Sequence, residues 1–194
     1  MSKKGFLLVL MQPPPAFEEE FNAWYDTEHV PERVAVEGFE SGRRYVCIDG
    51  HPKYLAMYDM VHESALESES YMRVSGANFS PWTRRVTSRV RIYRSAGEQI
   101  FPGDEVTKAT PRTTLLRFSG TPAALADIVV AGAKANFAGK SNTAQLRVFA
   151  YPRDGAVDFL VMAGFCKPEE ATLDVDAFGE AAPYLDLVNS YALY

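Results

Sequence analysis

The chain has 194 residues, of which 47% are hydrophobic and 23% are charged, and its formal net charge is −5. This length allows one sizeable core or two small ones, and with this composition it excludes a disordered segment and a fibrous repeat. The charge is acidic overall and the longest all-acidic run is Glu18–Glu20, so we expect no nucleic acid partner.

Cysteine usage and hydropathy bear on the location of the protein. Cys47 and Cys166 have neither a metal-ligand spacing nor a disulfide framework, which is typical of a reducing compartment, and we expect a cytoplasmic protein. The apolar stretch Gly5–Met11 is too short to cross a bilayer and predicts a buried strand, so we expect no membrane partner.

The first half of the chain predicts the element order β-α-β-β-α-β. Asp49-Gly50, between two β-rich runs, is a hairpin signal, and Gly76 is a helix stop. The predicted elements are a strand at Gly5–Met11, an amphipathic helix from Phe17 to Glu28, strands at Arg43–Ile48 and Tyr54–Met60, a helix at Ser64–Val74 and a strand at Val86–Arg94.

The second half predicts the same order, with Arg153-Asp154-Gly155 as its hairpin turn. Its predicted elements are a strand at Thr113–Phe118, a helix at Pro122–Ala135, strands at Ala144–Tyr151 and Asp158–Phe165, a weak helix at Val175–Ala182 and a strand at Asp186–Leu193. A segment mixing Gly, Pro and charge separates the halves. We therefore predict a unit at 1–95, a linker at 96–110 and a second, degenerate unit at 111–194.

A βαββαβ unit is the ferredoxin-like arrangement, in which an antiparallel sheet carries both helices on one face. The other face of each sheet needs a cover, and two units in one chain can cover each other and close into a barrel. We predict an α+β fold of two tandem ferredoxin-like units that form an intrachain, pseudo-dimeric α/β barrel.

One segment carries a resemblance to a known family. It contains the aromatic pair Trp24-Tyr25 and the motif His29-Val30-Pro31, followed by Gly38-Phe39 and Arg43-Arg44-Tyr45. This pattern resembles the signature of EthD-like proteins of the dimeric α/β-barrel superfamily. The resemblance covers about half of the chain, and residues 111–194 depart from it. It implies one small-molecule site, in the first half, with Trp24 among the ligand-binding residues.

The resemblance implies a fold more than a reaction, because the superfamily hosts isomerases, cyclases, decarboxylases, monooxygenases and proteins with no known activity. Related barrels also use a histidine as an axial haem ligand. The resemblance therefore leaves the chemistry to the residues of this chain.

His29 is the first catalytic candidate. Pro31 disfavours the α conformation at Val30, so we expect the helix to end or kink close to His29, beside unpaired carbonyls. A negative helix end favours the imidazolium, and such a histidine can exchange protons near neutral pH. His29 is thus a candidate acid or base, and the alternative is that it only caps the helix.

Glu28 is the second catalytic candidate. Helical periodicity places it in line with Phe21 and Trp24, on an apolar face. A carboxylate there needs a partner, and Arg43 or Arg44 could supply one. The alternatives are a structural salt bridge and a carboxyl with a raised pKa that serves as acid or base.

Three strand faces of the first half carry tyrosine and arginine. We expect these side chains to bracket a flat ligand and to bind a phenolate, carboxylate or enolate oxygen. The ligand-binding candidates on these faces are Arg43, Tyr45, Tyr58, Arg91 and Tyr93. The alternative is that the tyrosines fill the barrel and the arginines are solvated.

The segment around Ser80-Pro81 predicts a cap and first helical turn. Asn78 and Trp82 flank this turn and are candidates for a lid over the barrel mouth, although such a tryptophan can also simply close the core. We expect His51 and His62, in a turn and at a strand end, to be solvated.

Together these patterns predict a protein that binds a small flat aromatic or polyketide-like metabolite. The leading hypothesis is cofactor-independent proton transfer of the isomerase, cyclase or decarboxylase type, in which His29 moves a proton next to a carbonyl. No nucleotide, serine-hydrolase or zinc motif occurs in the sequence, so we expect neither a cofactor nor a metal. The alternatives are a non-catalytic binding protein, a haem-handling barrel and an inert scaffold filled by its own side chains. The assembly could be a monomeric pseudo-dimer or a homodimer.

Overall fold

Eight antiparallel strands form a closed barrel in a computed structural model that describes residues 3–169 and 172–194. The strands are β1 (Gly5–Gln12), β2 (Phe39–Asp49), β3 (Tyr54–Met60), β4 (Arg91–Phe101), β5 (Arg112–Thr121), β6 (Thr143–Arg153), β7 (Ala156–Phe165) and β8 (Leu185–Leu193). Their order around the barrel is β1-β3-β2-β8-β5-β7-β6-β4.

The barrel contains the same four-stranded arrangement twice. The first four strands lie in the order β4-β1-β3-β2 and the last four in the order β8-β5-β7-β6. Strand pairs β2–β8 and β4–β6 join the two halves on opposite sides of the barrel. The predicted α+β fold, a pseudo-dimeric barrel of two ferredoxin-like units, is therefore confirmed.

Helices pack on the outside of the barrel. The α-helices are α1 (Glu18–Trp24), α2 (Val30–Val34), α3 (Glu69–Met72), α4 (Pro81–Thr87) and α5 (Ala126–Phe137). Segments of 3₁₀ helix lie at Pro15–Phe17, Glu63–Glu67, Gly76–Asn78, Ala123–Leu125 and Asp176–Tyr184, and the last of them is interrupted by a kink at Gly179. The weak helix predicted at Val175–Ala182 is thus a 3₁₀ segment. No helix of the described residues is long and apolar enough to span a membrane.

The helix that was expected to end or kink close to His29 does not end there, but it changes its geometry. Tyr25–His29 form a π-helical turn, in which the Val30 N–H donates to the Tyr25 carbonyl. The wider turn accommodates Pro31, which sits in the first turn of α2 and has no N–H to donate. The chain therefore stays helical from Glu18 to Val34.

Strand β4 begins and ends later in the chain than the strand predicted at Val86–Arg94. Ser80 caps α4, because its side chain accepts from the Thr83 N–H, and the helix then includes Val86, which is fully buried. The last strand of the unit consequently begins at Arg91 and continues to Phe101, past residue 95 and into the segment predicted as the linker. The division of the chain at 96–110 itself stays a prediction.

The barrel interior is largely filled by the chain's own side chains. These interior residues are Phe6, Leu8, Leu10, Tyr45, Leu55, Met57, Leu115, Phe149, Leu160, Met162 and Tyr191. Two further apolar clusters lie between the outer faces of the strands and the helices, one in each half. Both faces of most strands are therefore buried, as the barrel requires.

A buried ion pair closes one end of the barrel. Arg147 of β6 donates to Asp59 of β3 at 2.6 Å, and both side chains are 1% exposed. Thr107, between β4 and β5, also donates its N–H to Asp59, at 2.8 Å. The chain segment that joins the halves thus covers this end, and the opposite end carries the hairpins β2–β3 and β6–β7.

Candidate functional site

A groove opens into the barrel at the hairpin end. It consists of two adjoining cavities of about 500 and 590 Å³ that share Tyr93, Arg117 and Asp186. His51 and Arg91 line its first part, and Tyr151 and Asp158 line its second part. We call this cavity the barrel-mouth groove.

Strand alternation places these side chains in the groove. Tyr93 and Arg91 of β4 are paired with Leu10 and Gln12 of β1. Because Leu10 faces the barrel interior, Tyr93 and Arg91 also lie on the inward side of the sheet. Arg117 is paired with Leu160, whose side chain is part of the barrel interior. The groove is therefore the last, polar layer of an otherwise apolar interior.

The groove is positively charged although the chain is acidic. Four arginines and two aspartates line the two cavities. Arg117 donates to Asp186 from Nε at 2.9 Å and from Nη2 at 2.8 Å, and Arg153 pairs with Asp158 at 3.1 Å. Arg91 has no ion pair within the described residues, so its charge is available to a ligand.

Asp158 fixes the inner wall of the groove. It is 1% exposed and accepts from the Gly120 N–H at 2.7 Å and from the Tyr151 hydroxyl at 2.6 Å. Burial, and then the hydrogen bond to Asp158, raise the pKa of Tyr151 above its usual value. Tyr151 is therefore a neutral phenol at pH 7, with its proton directed to Asp158.

The tyrosine- and arginine-bearing faces separate in the structure. Arg91 and Tyr93 line the barrel-mouth groove, whereas Tyr45 lies deep in the barrel with no hydrogen-bond partner for its hydroxyl in the described chain. Burial raises the pKa of Tyr45 to about 12. Arg43 donates from Nε to the Thr107 carbonyl at 3.0 Å, near the closed end.

Tyr58 faces away from the barrel interior. It belongs to the apolar cluster between β3 and the helices, together with Tyr54 and Ala56 of the same strand face. Its hydroxyl is buried without a hydrogen-bond partner among the described residues, and burial raises its pKa well above the usual value. The structure therefore does not bring Tyr58 together with Arg91 and Tyr93.

His29 is enclosed by aromatic rings on the helical side of the first half. Its ring stacks on Trp24, with centroids 4.3 Å apart, and meets the edge of Tyr25 at 5.1 Å. Its Nδ1 atom is buried and has no partner among residues 3–169 and 172–194. The described cavities do not include His29 in their linings.

The surroundings of His29 differ from those expected of a histidine at a helix end. Burial, followed by the positive charges of Arg33 and Arg44, lowers the pKa of His29 to about 3. The helix continues past His29, so no negative helix end offsets these effects. The imidazole is consequently neutral at pH 7.

Glu28 binds the neighbouring helix rather than an arginine. It accepts from Ser80 Oγ at 2.5 Å and from Thr83 Oγ1 at 2.9 Å. Thr83 Oγ1 in turn accepts from Trp24 Nε1 at 3.0 Å. Neither of the arginines considered as a partner for Glu28 pairs with it, because Arg44 pairs with Asp26 and Arg43 donates to the Thr107 carbonyl.

Asn78 and Trp82 lie outside the barrel-mouth groove. Asn78 is exposed and donates to the Met72 carbonyl at 2.8 Å, and Trp82 packs half-buried against the apolar cluster of the first half. The sequence predicted that these two residues could form a lid over the barrel mouth, but neither of them lines the barrel-mouth groove.

Sequence reasoning missed the contribution of the second half to the groove. Arg117 shares a strand face with Thr113 and Leu115, and an arginine inside a buried strand was an available signal. Asp158 and Asp186, which begin predicted strands, gave no comparable signal. His51 was expected to be solvated, and it is exposed at the edge of the groove.

The fold is shared with several solved structures. An anthrone oxidase-like protein has 15% sequence identity and a TM-score of 0.71, and the match covers 100% of this chain and 92% of that one. A chlorite dismutase mutant from Candidatus Nitrospira defluvii has 8% identity and a TM-score of 0.56, with coverage of 99% and 92%. A haem-binding protein from Thermus thermophilus has 10% identity and a TM-score of 0.50, with coverage of 100% and 92%.

These matches assign the dimeric α/β-barrel fold to the whole chain. At such identities the likeness concerns the fold alone. A scan against models of protein families found no match, and a search of curated proteins found none either.

Proposed function

We propose that the protein binds a small, flat, partly apolar anion in the barrel-mouth groove. The observation that carries this proposal is the position of Arg91. It is a guanidinium without an ion pair in the described chain, and it lies beside the exposed ring of Tyr93 in a cavity of about 500 Å³. A ring can stack on Tyr93 while a carboxylate, phenolate or enolate oxygen binds Arg91.

The surroundings of Arg91 support a ligand that is only partly polar. Leu8, Leu10 and Leu160 line the inner cavity, so the deep end of the groove offers apolar contact. Arg117 is held by Asp186 and adds a fixed guanidinium beside the same cavity. A ligand with one anionic edge and one apolar edge matches this distribution.

The test is a calorimetric binding titration with two isosteric probes, 2-naphthoate and the neutral 2-naphthamide. We expect naphthoate to bind more tightly, and Arg91→Gln to weaken naphthoate binding by about tenfold, since one charge-assisted interaction contributes about 1.5–3 kcal/mol before screening. Arg73→Gln is the matched control, because Arg73 directly follows α3, its side chain is 68% exposed and it does not line the groove.

Equal binding of both probes, or equal losses in the Arg91→Gln and Arg73→Gln variants, would refute the proposal. A higher salt concentration should weaken naphthoate binding and leave naphthamide binding unchanged, because only the anion is attracted by the arginines.

Two more specific proposals remain. One is that the protein is EthD-like, and the other is that His29 and Glu28 transfer a proton. The π-helical turn and the unpartnered Nδ1 of His29 favour a special role, since π-helical turns are frequent at functional sites. The low pKa and the absence of His29 from the described cavity linings favour the non-catalytic alternative. Turnover of an identified substrate by a His29→Gln variant at the wild-type rate would end the proton-transfer proposal.

Haem binding fits the groove poorly. His51 is the histidine in its lining, but five of the eight residues lining that cavity are charged or polar, whereas a porphyrin needs apolar contact on its faces. The second half of the chain, residues 111–194, has no histidine to serve as an axial ligand. Addition of haemin should therefore produce no protein-bound Soret band.

A further inference from the structure

We propose that His51 is the proton acceptor for a ligand bound in the barrel-mouth groove. The inference rests on the proposed function, because it needs an anion held by Arg91. His51 lines the same cavity as Arg91, Tyr93 and Arg117, which brings an imidazole, two guanidiniums and an aromatic ring around one space. Such a set can remove a proton from a ligand and stabilise the resulting anion.

The hydrogen bonds around Gln12 assign the tautomer of His51. Gln12 Oε1 accepts from the Lys53 N–H at 2.9 Å, so the atom at this position is the amide oxygen. His51 Nδ1 lies 3.3 Å from the same oxygen. An oxygen accepts and cannot donate, so Nδ1 carries the hydrogen, and in the neutral ring Nε2 carries the lone pair.

The hairpin tip that carries His51 is hydrogen-bonded to both neighbouring strands. Asn189 of β8 donates from Nδ2 to the His51 carbonyl at 2.9 Å, and Gln12 of β1 accepts from the N–H of Lys53, two residues further on, at 2.9 Å. Gly50 has φ +112°, and a Cβ there would lie 2.6 Å from Asn189 Oδ1, so only glycine permits this approach. The hairpin tip is therefore fixed against rigid strands, as a catalytic group requires.

The chemical step is a proton transfer without a cofactor. His51 Nε2 takes a proton from a carbon next to a carbonyl, and the C–H electron pair moves to form an enolate whose oxygen lies beside Arg91 and Arg117. The imidazolium then returns a proton to the same or another carbon. No oxidant or reductant is needed, and the ligand class is a flat aromatic acid with an acidic C–H beside a carbonyl.

The test uses phenylpyruvate, a flat aromatic 2-oxo acid, in D₂O with the full chain. Proton NMR follows deuterium incorporation at the methylene next to the carbonyl. We expect the wild-type protein to exchange the methylene protons faster than buffer alone. The protein-catalysed exchange rate should fall about a hundredfold in the His51→Gln variant, because a general base contributes a factor of about this size. His51→Asn and a thermal melt of each variant control for misfolding.

His62→Asn is the matched control. His62 follows the end of β3 at the opposite end of the barrel, where its ring caps a 3₁₀ segment by accepting from the Ser64 N–H at 3.2 Å, and asparagine can also cap. We expect this variant to exchange at the wild-type rate.

Two outcomes would overturn the role of His51 and leave the proposed function standing. These are wild-type exchange rates in a folded His51→Gln variant, and no acceleration by the wild type although naphthoate binds in an Arg91-dependent manner. A failure of Arg91-dependent naphthoate binding would overturn the proposed function, and the role of His51 with it.

Discussion

Replacement of Arg147 by methionine should destabilise the protein strongly. Arg147 and Asp59 are each 1% exposed, and the pair joins β6 of the second half to β3 of the first. Arg147 Nη2 also donates to Thr107 Oγ1. Methionine retains much of the packing volume but leaves the Asp59 carboxylate buried without a counter-charge. Removal of one partner of such a pair costs about 3–5 kcal/mol of unfolding free energy.

The pH dependence gives this prediction a second, independent signature. Burial raises the pKa of Asp59, but the charge of Arg147 and the hydrogen bonds from Ser41 and Thr107 outweigh burial, and the pKa lies below its usual value. In the wild type this carboxylate therefore stabilises the fold above the unfolded-state pKa, and the stabilisation is lost as the pH falls through the folded-state pKa. Without Arg147 the folded-state pKa of Asp59 rises above the unfolded-state value, so the variant gains stability as the pH falls.

Urea unfolding followed by tryptophan fluorescence at pH 8 and pH 5 measures both effects. We expect a deficit of about 3–5 kcal/mol at pH 8 that narrows at pH 5. Arg117→Met is the matched control, because the Arg117–Asp186 pair is 25% and 41% exposed and should contribute only about 0–1 kcal/mol. A deficit no larger than that of the control, or one that widens at pH 5, would refute the assignment of this pair as the buried link between the halves.

Three further changes probe the helical layer. The His29 resonance should not titrate in NMR spectra above pH 4. Because the pKa of His29 is lower in the folded than in the unfolded chain, the wild type should lose stability as the pH falls below about 6.5, and the His29→Gln variant should lose less. Glu28→Gln should cost about 1–2 kcal/mol in urea unfolding through its weakened hydrogen bond with Thr83, and an unchanged midpoint would contradict this. Gly132→Ala should cost about 1–3 kcal/mol despite the better helix propensity of alanine, since its Cβ would lie 2.4 Å from Phe178; a raised melting temperature would show that the ring can move aside.

The strands could be predicted from the sequence because their signals are local. Tyr54–Met60 is bounded by a turn and a polar segment, and its predicted bounds match β3. The strand predicted at Val86–Arg94 begins too early, because the alternation of apolar and polar residues includes Val86 and Thr87, which belong to the helix α4 that Ser80 caps. The sequence around Val86 fits either the end of a helix or the start of a strand. The capping hydrogen bond of Ser80 and the burial of Val86 favour the helix.

The candidate site was predicted only in part, because strand alternation tells which side chains share a face but not where that face points. Tyr58 and Tyr93 have the same local pattern, yet Tyr58 packs under the helices and Tyr93 lines the barrel-mouth groove. In a closed barrel both faces are buried, so hydrophobicity does not distinguish them. Arg91 and Tyr93 were found from the sequence, and their partners His51 and Arg117 were not.

Local sequence patterns predict the two βαββαβ units and the barrel that they form, because hydrophobic period and turn residues act over a few residues at a time and each sheet needs a cover. Which end of the barrel is open follows from contacts between distant residues. Asp59 and Arg147 are far apart in sequence, and their contact closes one end, while strand register brings Arg91 and Arg117 together at the other. Such contacts depend on the closure of the whole barrel, and no local pattern encodes them.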